Sequence, residues 1–153
     1  MTAHESLVGL VVDEFSFRVE AGKVAEFAVA IKDPSPRYRD ASAAAEEGFD
    51  GIPAPLTFTV VAGHHRDAAA AVERLSLDIR RVVVGEVDWR YARTLVVGDR
   101  LHGRRTVTDV RRRSGGRGGE MTLVTLETEF RDQRGDVAVC QREVLIETGR
   151  PPA

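Results

Sequence analysis

The sequence predicts an α+β fold in which a curved antiparallel sheet wraps around one long central helix. Three observations lead there. Ile52 to Leu75 opens with Pro53 and Pro55, which suit the first turn of a helix, and then repeats apolar residues at helical spacing at Leu56, Val60, Ala68, Ala71, Val72 and Leu75. The first half of that stretch is apolar nearly all round, with Thr57, Phe58, Thr59, Val61 and Ala62 on the other faces, so it needs enclosure by protein. After Leu75 come alternating strand-like segments joined by Gly-bearing loops, the pattern of an antiparallel meander, and such a sheet needs one face covered.

Each element follows in order. Leu7 to Val12 is a short apolar run that fits a strand or a turn of helix. Phe15, Phe17 and Val19 alternate with Ser16 and Arg18, which predicts a strand with one face buried. Ala21 to Lys32 switches to helical spacing through Val24, Phe27, Ala28 and Ile31, and Pro34 and Pro36 stop it. Asp40 is placed to cap a short helix over Ala41 to Glu47, with Gly48 ending it in a left-handed turn. Val82 to Leu95 reads as a strand with a bulge near Gly85, and Gly98-Asp99 as a turn. Leu101 to Val110, Met121 to Phe130 and Val137 to Glu147 complete the meander.

Composition narrows the function classes. A chain of 153 residues suits one domain, 1–153, with a core from about 7 to 147 and a frayed tail over 149–153. With 42% hydrophobic and 30% charged residues it is predicted to be globular and not disordered. A net charge of −2 gives no electrostatic case for nucleic acid, and Arg111, Arg112, Arg113 and Arg117 are expected to flank an exposed hairpin loop at Ser114-Gly115-Gly116. The single Cys140, set among alternating strand residues, is expected in the core or on a sheet face of a reduced, cytoplasmic protein. No apolar run reaches the ~20 residues that span a bilayer, and MTAHESLVGLVV lacks the pattern of a signal peptide. Adjacent His64 and His65 would point ~100° apart on a helix and cannot share an ion, so no metal site is expected. His4 and His102 are expected at the surface, and Asp88-Trp89-Arg90-Tyr91 fits a pocket rim or a dimer-edge strand, with Trp89 itself expected to pack.

The phrases AGKVAEFAVAIKDPSPRYRD, GFDGIPAPLTF and VVGDRLHG, together with the closing meander, resemble the hot-dog fold of the MaoC-like dehydratases and hydratases. Within it they are most similar to the FAS1-like dehydratase N-terminal domain, as in small mycobacterial subunits that partner a catalytic subunit. The likeness covers roughly residues 7 to 147. Active members carry a D-x-N-P-x-H segment and an H-G-M segment at the start of the central helix. Their Asp and His move protons as water adds to, or leaves, a carbon–carbon double bond beside a thioester carbonyl. A backbone N–H at the helix start holds the thioester oxygen.

Carried onto this chain, Asp33 falls on the catalytic Asp, Ser35 and Pro36 on the Asn-Pro, and Tyr38 on the His. Pro55 falls on the Gly whose N–H would serve as oxyanion donor, and proline has none. A phenol, with an ordinary pKa near ~10, is a poor general base at neutral pH. The resemblance implies an acyl channel beginning near Pro55 and Leu56 and continuing along Phe58, Thr59, Ala62, Gly63 and His64. It implies no cofactor.

Three functions are consistent with this. The chain is expected to be an acyl-thioester-binding subunit that pairs with a catalytic MaoC-like subunit and acts on (3R)-hydroxyacyl or trans-2-enoyl groups carried by CoA or acyl carrier protein. Alternatively it is a homodimeric enoyl-CoA hydratase or thioesterase that uses other residues, such as Asp33 with His64. A third alternative is an acyl-thioester-binding protein without turnover. In each case the partner is a homodimer mate or a catalytic subunit, with neither nucleic acid nor membrane.

Overall fold

The computed structural model describes residues 5–114 and 119–149. His4, Gly115, Gly116, Arg117 and residues 150–153 of the expected tail lie outside the described residues. The architecture is the hot-dog fold: one antiparallel sheet with helical segments packed in its concavity. Its strands are β1 (Val11–Arg18), β2 (Val82–Tyr91), β3 (Arg100–Ser114), β4 (Glu120–Arg131) and β5 (Val137–Glu147). They lie in the order β1-β3-β4-β5-β2. Strands β3, β4 and β5 form the predicted meander, while β1 pairs with β3 at one edge and β2 with β5 at the other, all antiparallel. The register of β2 on β5 shifts between Val84 and Glu86, the bulge expected at Gly85.

Helix α1 spans Ala21–Ala30 and buries Val24 and Ala28. Helix α2 spans Ala41–Glu46, and the Asp40 carboxylate accepts hydrogen bonds from the Ser42 and Ala43 amides, as a cap residue should. Gly48 closes that helix at φ +87°, a left-handed conformation that glycine reaches without a Cβ clash.

The single helix expected over Ile52 to Leu75 resolves into two segments. Pro53 is extended and pairs with Val96 as an isolated bridge. Thr57 sits at φ +70°, and Phe58–His65 then forms a 3-10 helix. Arg66 and Asp67 are extended, and the Asp67 carboxylate caps α3 (Ala68–Arg74) through the Ala70 amide. The β-branched run Thr57, Thr59, Val60, Val61 and the following Gly63 are poor at sustaining an α-helix, which explains the tighter winding and the restart at Asp67.

Enclosure is one-sided. Phe58, Thr59, Val61 and Ala62 are buried, whereas Leu56 is 71% and Val60 48% exposed. The two segments cover different parts of the sheet. Phe58, Val61 and Ala62 pack with Phe15, Phe17, Leu101, Phe130 and Val139. Ala71 and Leu75 of α3 pack with Val12, Val107, Val124, Leu126 and Leu145. Cys140 is half-buried on β5, and His102 is exposed. Among the described residues no helix is long and apolar enough to cross a membrane.

Candidate functional site

The residues matched to the catalytic pair lie just after α1. Lys32 turns the chain at φ +60°, and the Asp33 amide donates back to the Ala28 carbonyl at 2.9 Å, ending the helix before Pro34. One Asp33 carboxylate oxygen accepts the Ser35 amide at 3.0 Å, and the other lies 3.8 Å from the Arg37 guanidinium. Arg37 also donates to Glu47 at 2.8 Å and to the Tyr38 hydroxyl at 3.1 Å, and stacks over the Tyr38 ring with its centroid 4.8 Å away. Tyr38 is 7% exposed and belongs to the core that contains Ala28, Ala54 and Phe58. Asp33 and Tyr38 are therefore held by one guanidinium and the adjoining turn, as parts of a loop anchor.

The start of the central segment is equally committed. The Ala54 amide donates to the Leu95 carbonyl at 2.7 Å, and the Pro55 carbonyl accepts the Phe58 amide at 3.1 Å. The Thr57 amide donates to the Tyr91 hydroxyl at 3.0 Å. Burial raises the Tyr91 pKa above the usual phenol range, a shift opposed by that amide. Around this point Ala54, Pro55, Leu56, Phe58, Thr59, Tyr91, Thr94 and Leu95 line a cavity of about 100 Å³.

A second cavity of about 190 Å³ lies between the 3-10 helix and the sheet. Thr59, Val60, Ala62, Gly63 and Arg66 form one wall, and Phe15, Trp89, Thr128, Phe130, Gln141 and Glu143 the other. Thr59 belongs to both cavities and is almost fully buried. Its hydroxyl accepts the Trp89 indole N–H at 2.9 Å and donates to the Gln141 side-chain oxygen at 3.3 Å.

The structure thus brings Pro55, Leu56, Phe58 and Thr59 together in one cavity, and Thr59, Ala62 and Gly63 in the next. His64 is apart from both, in a groove with Phe17, Arg18, Glu20, Lys23, Val61 and His65. His65 stacks on Phe17 with ring centroids 5.7 Å apart. Asp33 and Tyr38 line none of these three depressions. Tyr91 lines the first cavity, in keeping with the pocket-rim reading of Asp88-Trp89-Arg90-Tyr91, whereas sequence reasoning missed Gln141. The alternation of Trp89 and Tyr91 along β2 signalled that both point inward, but the Trp89–Gln141 pairing depends on strand order.

Comparison with known proteins agrees with this architecture. The family model of the FAS1-like, dehydratase domain region matches residues 6–141. A UPF0336 protein of Thermobifida fusca is 35% identical over 138 residues, covering 90% of this chain and 88% of that protein. A solved MaoC-like dehydratase superposes with a TM-score of 0.79 at 28% identity, over 97% of this chain and 44% of the other. A chain of the C-terminally truncated HadBC (3R-hydroxyacyl-ACP dehydratase) complex of Mycobacterium tuberculosis gives a TM-score of 0.72 at 21% identity, covering 92% and 96%. The (R)-hydratase from A. caviae involved in PHA biosynthesis gives 0.68 at 21% identity, covering 95% and 96%. The last two show likeness of fold.

Proposed function

The chain belongs to the FAS1-like dehydratase domain family, and from that membership we propose that it is the acyl-thioester-binding subunit of a (3R)-hydroxyacyl / trans-2-enoyl thioester dehydratase, paired with a catalytic MaoC-like subunit. The observation that carries this reading is the contrast between its two halves. The cavities along the central segment remain open, while the positions matched to the acid–base pair are tied up: Asp33 and Tyr38 by Arg37, and Pro55 without an N–H to donate. One of the structural neighbours comes from a complex named for two components, HadBC, which supports pairing by analogy. In this reading the thioester end lies near Pro55 and Leu56, and the chain runs past Thr59 toward Ala62 and Gly63.

The test is hydration of crotonyl-CoA and longer enoyl-CoAs. The isolated chain is expected to be inactive, and activity is expected on mixing with a MaoC-like protein that retains an intact D-x-N-P-x-H segment. Robust turnover by the isolated chain that disappears in Asp33→Asn would overturn the proposal in favour of a self-sufficient enzyme. Inactivity in the mixture, with acyl-CoA still bound, would leave a binding protein without turnover.

A further inference from the structure

Of the residues that line the first cavity, only Thr59, Tyr91 and Thr94 carry a polar side chain. The Thr59 hydroxyl is spent, since it accepts from Trp89 and donates to Gln141. Thr94 is exposed to solvent. Tyr91 is half-buried and packs against the core at the end of an apolar cross-strand row that continues through Val139 and Phe130. Its hydroxyl oxygen accepts the Thr57 amide, and among the described residues nothing accepts the hydroxyl hydrogen. A single unspent donor on an apolar wall is the kind of group that fixes the orientation of a ligand.

That donor is held in place and kept protonated. Thr57 sits at φ +70°, a left-handed conformation rare for a β-branched residue, and its N–H meets the phenol oxygen there. An amide that donates into a hydroxyl oxygen polarises the O–H and strengthens it as a donor. Burial raises the Tyr91 pKa, so the phenol keeps its proton at neutral pH. The lining holds no cation, so a carboxylate would enter at the cost of its hydration, whereas a neutral carbonyl oxygen supplies the missing acceptor. Pro55, in the same wall, has no N–H with which to compete for it. We propose that the Tyr91 hydroxyl donates to the carbonyl oxygen of the bound acyl-thioester and so fixes the thioester at the Pro55 end of the channel. This deepens the acyl-binding reading above and rests on it, because that reading places the thioester near Pro55 and Leu56.

The test compares the affinities of the purified full chain for dodecanoyl-CoA and for S-dodecyl-CoA, the thioether in which a methylene replaces the carbonyl. The wild type is expected to bind the thioester about tenfold tighter. In Tyr91→Phe that preference is expected to disappear, whatever the absolute affinities become. The infrared carbonyl stretch of bound dodecanoyl-CoA, isotope-labelled at that carbon, is a second readout that a structural role for Tyr91 would not move. In the wild type it is expected at a lower frequency than for the same thioester in an alkane. Equal binding of thioester and thioether by the wild type, or a preference that Tyr91→Phe keeps undiminished, would overturn the inference and leave acyl binding intact. A wild-type stretch equal to that in the alkane would do the same without needing the variant to fold. Absence of binding by both ligands would overturn the acyl-binding reading as well.

Discussion

At the scale of single residues, the departures from the motif of active family members were legible in the sequence, and the contacts those residues make were not. Tyr38 and Pro55 stand out as soon as the chain is laid against the family pattern. That Arg37 would bind Asp33, Tyr38 and Glu47 at once depends on how the loop folds back on α2. Gly63 is the residue where space can be tested directly. It is exposed at the cavity wall, and a Cβ built there meets nothing within 4 Å. The 3-10 helix gains a better helix former on substitution, so Gly63→Leu is expected to change folding stability by less than ~0.5 kcal/mol. The larger side chain would extend into the channel and lower acyl-thioester affinity by about tenfold, a loss of ~1.4 kcal/mol. A loss of several kcal/mol of stability would instead make Gly63 a packing residue, and no change in either quantity would move the channel elsewhere.

At the scale of elements, period and capping chemistry identified the strands, α1 and α2, because those signals are local. The central segment reads as continuous because apolar residues at helical spacing resume at Ala68, beyond the polar interruption His64-His65-Arg66-Asp67. The positive φ of Thr57 and the bridge from Pro53 to Val96 are consequences of tertiary pairing that spacing does not encode. Another tertiary device holds the loops at the ends of β2, β3 and β4. Arg93 forks onto both Asp99 carboxylate oxygens at 2.7 and 3.0 Å and reaches Asp132 at 3.0 Å. Asp132 also accepts the Arg134 and Asp136 amides at 2.9 and 3.2 Å. The Arg93 guanidinium, followed by these amides, holds the Asp132 carboxyl below the usual carboxylate range. A lowered folded-state pKa contributes stability that is complete above the unfolded value of ~3.9 and is lost as pH falls through the folded value. The gap in denaturation midpoint between wild type and Asp132→Asn should therefore stay constant from about pH 8 to 5 and shrink below about pH 4. A gap that persists undiminished to about pH 2 would remove Asp132 from the acid response.

At the scale of the whole molecule, the fold class was legible because a mostly apolar segment followed by a meander has few solutions. Strand order was not: β2 precedes β3 in sequence but pairs with β5, so the meander leaves it at an edge. That edge is where assembly should occur. Val83 is 51% and Val84 57% exposed on β2, and Leu56 and Val60 are exposed on the central segment. An edge strand with exposed valines presents unpaired backbone groups alongside apolar surface, which natural proteins normally cover. Among the described residues β5 is the only strand that pairs with β2, so the other edge of β2 has no strand partner. A second hot-dog unit, whether a copy of this chain or a catalytic subunit, would continue the sheet. Light scattering is expected to give a dimer, either alone or with the MaoC-like partner. Val83→Lys places a charge on the edge and should shift the mass toward monomer while circular dichroism stays native, because Val83 is half-exposed and its loss removes little core. A stable monomer both with and without the partner would show that β2 is a tolerated free edge. A dimer indifferent to Val83→Lys would move the interface to another surface.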